Sequence, residues 1–213
     1  MSVMASAEAR DVFTYIYRTN FWRGKESRSG EGSGLAQTVV IRRELPKLIL
    51  ELGIDSILDA GCGDHHWLSR VNLLGATYIG ADLVPDAIEH DQRYASAIRQ
   101  FTCLDVVHDP LPKTDIILCR DVLVHLPYAD CLKAIDNFKR SGATYLLCTT
   151  FINHTNTDLH GDLIWRPLNM QHPPFNFGPP MRLFAEEWIE ARTNEFDDYR
   201  LGLWRLDDIE VAA

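Results

Sequence analysis

The sequence predicts an α/β domain: an open, mostly parallel sheet, doubly wound, with helices on both faces. Three observations predict it. Short apolar runs recur through the middle of the chain, each nearly continuous and bounded by polar or glycine residues, as in strands buried on both faces. Helical patterns separate these runs, and strands spaced by helices imply right-handed crossovers into one parallel sheet. The 213 residues, 46% hydrophobic and 24% charged, suit a single globular domain with one sizeable core and leave little room for a second.

Residues 1–53 read as an N-terminal arm, a lid and a helix, and residues 54–213 as the core. The opening MSVMASAEARDV lacks an apolar centre and carries acids early, so it reads as neither a secretory signal nor a transit peptide. KESRSGEGSG (25–34) is rich in glycine and serine; at the edge of a compact domain its length favours a lid or binding loop over a passive linker. Residues 35–52 have helical spacing, interrupted at Pro46, with Gly53 placed to cap the end.

SILDAG (56–61) is the first strand; ATYIGADL (76–83), RQFTCLDV (99–106), TDIILCRD (114–121) and ATYLLCTTF (143–151) follow. Between them, helices are expected over His66–Leu73, Pro85–Ile98 and Tyr128–Lys139, with proline at or just before the first turn of the last two. The stretch 152–180 is too long and too aromatic for a passive connection and too irregular for a helix or strand, so residues 152–182 read as an insertion that binds an acceptor. Helical spacing resumes over 183–191, and 199–206 reads as a closing strand.

A net charge of −9 repels polyanions, so neither nucleic acid nor an anionic membrane is an expected partner. Arg18, Arg23, Lys25 and Arg28 form the one basic cluster, which suits a solvated arm as well as a binding patch. No run approaches the ~18 apolar residues of a membrane span. The five cysteines, Cys62, Cys103, Cys119, Cys131 and Cys148, are odd in number and show no C-x-x-C spacing. That points to reduced thiols in a cytoplasmic chain, against a disulfide framework or a structural zinc site.

In open α/β sheets, ligands bind outside the carboxyl ends of the strands. That rule gathers Asp59 to Asp64 from the first strand, Asp82 from the second, Asp105 from the third, and Cys119, Arg120 and Asp121 from the fourth. A dinucleotide turn needs a third glycine, and after Gly61 and Gly63 this chain has His66. Asp64 also stands where a pyrophosphate would be received, and it repels one. The acidic mouth suits a ligand with an adenosine and a cationic, amino-acid-like tail. Asp59 attracts the tail's positive charge, Asp82 accepts from both ribose hydroxyls and Asp105 from the adenine amino group. The same acids also read as helix caps, Asp64 most of all.

The ordered set D-A-G-C-G-D, G-A-D-L, L-D and L-C-R-D resembles class I S-adenosylmethionine-dependent methyltransferases over residues 54–151. The resemblance implies a Rossmann-like sheet of seven strands and S-adenosylmethionine as cofactor. It assigns Gly61 and Gly63 to the methionine end, Asp82 with Leu83 to the ribose, and Asp105 with Leu104 to the adenine, with Cys119 and Arg120 beside them. The arm IYRTNFW (16–22), the lid SRSGEGS and the late W-R-P-L-N-x-Q are similar to a small group of bacterial methyltransferases. That group includes a mycobacterial sugar 1-O-methyltransferase of methylmannose polysaccharide synthesis. It implies a carbohydrate acceptor and adds Trp22 and Ser33 as cofactor contacts.

A hydroxyl acceptor must lose its proton, and histidine titrates in the right range. His125, four residues after Asp121, is the first candidate base, with Asp121 beside it; His154 is the second. A histidine between Val124 and Leu126 is also what a packed core histidine looks like. His65 and His66 read as packing or capping residues of the first helix. Trp165 and Phe175 offer apolar faces for a sugar ring, and Arg166, Asn169 and Gln171 offer hydrogen bonds, although the two aromatics suit anchors of the loop equally well. Asp121, His125, Asp158 and Asp162 have the chemistry of divalent-metal ligands, but no spacing joins them as a set, so no metal is assigned. Other readings stay open: N-methylation of a small amine, a non-catalytic S-adenosylmethionine-binding protein and, least favoured, an NAD-linked oxidoreductase. A homodimer is an open alternative to a monomer.

Overall fold

The computed structural model describes residues 6–160, 163–186 and 197–210. Seven strands form one sheet: β1 (Ser56–Ala60), β2 (Thr77–Asp82), β3 (Arg99–Cys103), β4 (Ile116–Cys119), β5 (Tyr145–Phe151), β6 (Arg182–Ala185) and β7 (Tyr199–Arg205). Their spatial order is β3-β2-β1-β4-β5-β7-β6. The first five pair in parallel, and β7 runs antiparallel between β5 and β6. This is the Rossmann-like architecture expected, with the reversal of strand order falling between β1 and β4.

Alternation along β4 shows why its apolar run is continuous. Ile116 and Leu118 join the hydrophobic cluster on one face, Ile117 and Cys119 the cluster on the other. A strand covered on both sides has no polar face to alternate with. Helix α4 (Tyr128–Arg140) buries Ala134, Ile135 and Phe138 in the first-named residues' opposite cluster, with Ile117. Helix α2 (Val39–Leu52) buries Ile41, Leu45, Leu48 and Ile49 against the other face. Helix α3 (Pro85–Asp91) begins with its proline in the first turn, where the missing N–H costs nothing.

The helix α2 runs through Pro46 rather than breaking there, held by its apolar stripe, and ends at Gly53 in the left-handed conformation (φ 62°). The structure corrects the sequence reading elsewhere. His66–Leu73 forms only a single 3-10 turn over Leu68–Arg70. Asn72 Oδ1 accepts from the Leu74 N–H at 2.9 Å, a local bond that competes with helix, and Leu74 and Gly75 both take positive φ. The helix at Pro85 stops at Asp91 and gives way to a turn over Gln92–Tyr94, because Ser96 and Arg99 already exchange backbone hydrogen bonds into β3.

The helical spacing of 183–191 is overturned at its start: Leu183–Ala185 belong to β6, where Phe184 alone is buried and the strand pairs with β7. Residues 187–191 lie outside the described residues. A helix the sequence reading omitted, α1 (Ser6–Thr19), packs Tyr17 against Val84 and Ala87 of the α3 region. Among the described residues no helix is long and apolar enough to cross a membrane.

Candidate functional site

The floor of the site is the turn after β1. Gly61 (φ 86°) and Gly63 (φ 60°) both adopt conformations that side chains resist, and a Cβ on either would collide: 2.2 Å from Val122 Cγ2 and 2.1 Å from Ser29 Oγ. The turn is stitched to β2: the Gly61 N–H donates to Ala81 O at 2.8 Å, and the Gly63 N–H to Asp82 Oδ2 at 2.9 Å. Asp82 Oδ1 accepts from the Val84 N–H at 2.9 Å. Burial raises the pKa of Asp82, and these backbone donors oppose the rise.

Asp64 caps no helix. Its carboxylate accepts from Ser27 Oγ at 2.8 Å and from the Arg28 N–H at 2.9 Å, while its own N–H donates to Ser29 Oγ at 3.1 Å. The glycine- and serine-rich loop is thereby fastened over the turn. Trp22, Gly32 and Ser33 carry this cover across the cavity towards Asp121 and His125.

One cavity runs along the strand ends. Asp59, Gly61, Gly63, Asp82, Leu83 and Leu104 line it together with Asp105, Arg120, Asp121 and His125. Trp22 and Ser33 of the arm and lid also line it, so twelve of the residues singled out from sequence come together in one wall system. Asp105 is turned partly inward, its Oδ1 accepting from the Val107 N–H at 2.8 Å and its Oδ2 lying 2.9 Å from His108 Nδ1.

Asp59 is buried and bonded by the Tyr78 hydroxyl at 2.7 Å; burial nevertheless pushes its pKa up to about 7. Arg120 is buried in an ion cluster. Its Nε donates to Glu186 Oε2 at 3.0 Å, and its Nη1 lies 3.0 Å from Asp121 Oδ2. Its Nη2 stands 3.0 Å from the same Glu186 oxygen without hydrogen-bond geometry. Asp121 has positive φ (57°) and is crowded with donors: Tyr199 Oη at 3.0 Å and Thr149 Oγ1 at 3.1 Å besides Arg120. Those donors take up both of its oxygens.

His125 has fewer obligations. Its Nδ1 lies 2.5 Å from the carbonyl of Ile164, which can only accept, so Nδ1 carries the proton and Nε2 keeps the lone pair. Its ring sits between Trp22 (centroids 5.5 Å apart) and Phe13 (5.8 Å). Burial lowers its pKa below the ordinary histidine value.

Other sequence candidates lie elsewhere. Cys119 is buried in the core beneath the site, beside Cys148 across β4 and β5. His154 packs on Phe151, with Nδ1 2.9 Å from Asp198 Oδ2, away from the cavity. Four of the expected acceptor contacts, Trp165, Arg166, Asn169 and Phe175, pack into the fold. Arg166 donates to the Leu123 and Thr157 carbonyls at 3.0 and 3.2 Å; Asn169 Nδ2 donates to Ile152 O at 3.0 Å. Phe175 is 1% exposed and meets Tyr128 edge-on, Trp165 meets Phe151 likewise, and the Gln171 N–H is bound to Asn169 Oδ1. A long irregular segment laid over the sheet end needs its backbone satisfied and its core edge covered, and these side chains do both.

Asp158 Oδ1 accepts from the Tyr128 and Leu159 N–H groups, and Asp162 is outside the described residues. Among the described residues no group of three or more histidine, cysteine or acidic side chains converges as a metal site. What the sequence reading missed is the roof. Ala9, Phe13, Ile16 and Tyr17 of α1 line the cavity. Their spacing of four, three and one is a helical stripe, and that stripe was the available signal.

Residues 34–183 match the family model described as a methyltransferase domain. Solved structures share the fold. Magnesium protoporphyrin IX methyltransferase from Synechocystis PCC 6803, with bound S-adenosylmethionine, aligns with a TM-score of 0.61 at 15% identity, covering 94% of this chain and 96% of its own. The [4+2]-cyclase SpnF aligns at 0.56 and 14%, covering 80% and 71%. The N-methyltransferase NodS from Bradyrhizobium japonicum WM9, in complex with S-adenosylhomocysteine, aligns at 0.52 and 17%, covering 64% and 73%. A search of curated proteins finds no match.

Proposed function

The chain belongs to the methyltransferase-domain family, and on that premise we propose that it moves a methyl group from S-adenosylmethionine to a hydroxyl of a small acceptor, with sugars the first class to test. The cavity suits the donor. Two glycines bring the backbone to the surface where a Cβ would clash, buried Asp59 and half-buried Asp82 favour a cationic ligand, and Leu83 and Leu104 give apolar walls for a base. When bound, the donor supplies an electrophilic methyl on a sulfonium.

The observation that carries O-methylation is the fixed tautomer of His125. With Nδ1 committed to Ile164, the neutral ring holds one free base, Nε2, in the cavity wall. The acceptor's hydroxyl proton passes to that nitrogen. Phe13 and Trp22 flank the ring and hold it in place. The sugar rests on the likeness of the arm, lid and W-R-P-L-N-x-Q stretch to a small group of bacterial methyltransferases that includes a sugar 1-O-methyltransferase. A small amine is the second reading, favoured by the depressed basicity of His125, because a neutral amine needs no base.

An acceptor screen, sugars first, followed by release of S-adenosylhomocysteine, identifies the substrate. The role of His125 is tested by His125→Ala. On a hydroxyl acceptor the rate is expected to fall by roughly 10²–10⁴-fold. The wild-type rate is expected to drop with acid only below the ordinary histidine range near pH ~6.5, since burial lowers the His125 pKa. An unchanged rate in the variant across pH sinks the base and leaves amine methylation.

A further inference from the structure

Behind the cavity floor, three buried polar side chains form a line that no ligand contact explains. Asp59 Oδ2 accepts from Tyr78 Oη at 2.7 Å, and Tyr78 Oη lies 3.1 Å from His65 Nδ1. The phenol has one proton and spends it on the carboxylate. His65 Nδ1 therefore donates to the phenol oxygen, and the neutral ring's Nε2 is left as a buried atom with no hydrogen-bond partner among the described residues.

The line is costly to build. His65 takes positive φ (52°), uncommon for histidine, and the ring is boxed by Tyr78, Tyr94 and Phe101 with centroids 5.0–5.2 Å away. An unpaired buried nitrogen adds a desolvation cost. Strain and unmet polarity persist where the arrangement serves a site. Here the only member that reaches the cavity is Asp59.

We propose that Tyr78 and His65 are positioning residues that hold the Asp59 carboxylate in its charged form for the cationic amino-acid end of the methyl donor. This rests on the reading of the site as an S-adenosylmethionine site. The groups facing Asp59 leave the task to this line. On β2 stand Tyr78 and Asp82, in the turn Cys62, at the end of α3 Asp91, on β4 Cys119 and just after β4 Arg120. Asp82 and Asp91 oppose a second charge, Arg120 favours it from within its own cluster with Glu186 and Asp121, and among the described side chains Tyr78 alone donates a hydrogen bond to the Asp59 carboxylate. Burial, with Arg99 adding to it, pushes the pKa of His65 down to about 3 and keeps the ring neutral.

The sign follows. A cation binds the carboxylate, not the acid, so affinity rises with pH through the Asp59 pKa, near 7 in the free protein. Removing one hydrogen bond to the charged form moves that midpoint upward by about one unit. Tyr78→Phe removes the hydroxyl and keeps the ring. His65→Asn removes the ring donor with a residue that tolerates positive φ. The probes are S-adenosylhomocysteine, which carries the ammonium, and 5′-methylthioadenosine, which lacks the amino-acid end, both titrated calorimetrically from pH 6 to 9.

For wild type, S-adenosylhomocysteine affinity is expected to rise with pH and methylthioadenosine affinity to stay flat. In Tyr78→Phe the first profile shifts up by about one pH unit, weakening binding roughly fivefold at pH 7, and the second does not move. His65→Asn shifts it in the same direction by less, and Asp59→Asn abolishes the pH dependence. An unmoved S-adenosylhomocysteine profile in Tyr78→Phe, or an equal loss for both probes, overturns the inference alone. Failure of the wild type to bind S-adenosylhomocysteine overturns the functional reading with it.

Discussion

Glu186 is the far end of the charge cluster under the cavity, and replacing it with alanine tests whether that cluster holds the site together. The Arg120 and Glu186 side chains are 5% and 0% exposed, with Oε2 3.0 Å from both Nε and Nη2. At a charge separation of about 4 Å and an effective dielectric of about 20, their attraction is roughly 4 kcal/mol. Alanine leaves a buried guanidinium with only Asp121, 3.0 Å away, as counter-charge. Breaking a buried pair from one side costs about 3–5 kcal/mol, and the remaining carboxylate places this case near 3. In a chain of 213 residues, that lowers the Tm by about 6–12 °C, at about 2–4 °C per kcal/mol. Calorimetry of Glu186→Ala, of Arg120→Met and of Arg120→Met combined with Glu186→Leu provides the cycle. The double variant is expected to regain most of the loss, because two apolar side chains replace two charges. An alanine variant that melts with wild type, or a double variant as unstable as the two singles added, refutes the reasoning.

Gly63→Ala puts a Cβ 2.1 Å from Ser29 Oγ at φ 60°. Moving Ser29 aside breaks its bond with the Asp64 N–H and loosens the loop, so S-adenosylhomocysteine affinity should fall at least about tenfold, by the loss of one or two bonds of ~1 kcal/mol and ~1 kcal/mol of strain. Ser29→Ala in the same chain should recover part of it; titration calorimetry showing wild-type affinity for the single variant contradicts this. Asp91 is buried, and desolvation, reinforced by Asp64 and Asp82, pushes its pKa up to about 8. A raised carboxylate stabilises the fold below its unfolded value near ~3.9 and loses that contribution as pH rises through about 8. Asp91→Asn should therefore be more stable than wild type at pH 8, by the order of 2 kcal/mol, and near parity at pH 4. Melting curves that shift equally with pH in both proteins would rule the buried charge out.

What could be read in advance follows from where the signal is local. Strands β1, β4 and β5 were legible because each is buried on both faces, β2 and β3 because helical patterns set them apart, and Gly61, Gly63, Asp82 and Asp105 because a strand end fixes where they stand. Asp64 was ambiguous because its partners, Ser27 and Arg28, lie 37 and 36 positions upstream. Helix α1 was overlooked because it stands ahead of the alternating strands and helices that organised the rest, although its stripe of Ala9, Phe13, Ile16 and Tyr17 was there to be read. Leu183–Ala185 read as helix because a four-residue edge strand has too few turns of alternation to betray its period. The 152–180 segment was ambiguous for a chemical reason: arginine and asparagine side chains that satisfy buried carbonyls, as Arg166 and Asn169 do, have the same composition as a sugar pocket.

The reversed strand β7 has a consequence for the order in which the protein is made. Residues up to Phe151 contain all five parallel strands, both turn glycines and the candidate base. Arg120 and Asp121, however, meet Glu186 and Tyr199 only when the final hairpin of β6 and β7 has docked along β5. A chain emerging N-terminus first can assemble its sheet centre early, as domains do during synthesis. Its cavity acquires a neutralised floor only with the last strands, so a nascent chain arrested before residue 186 would carry the whole glycine turn yet leave Arg120 without Glu186, with the adjacent Asp121 as its remaining counter-charge.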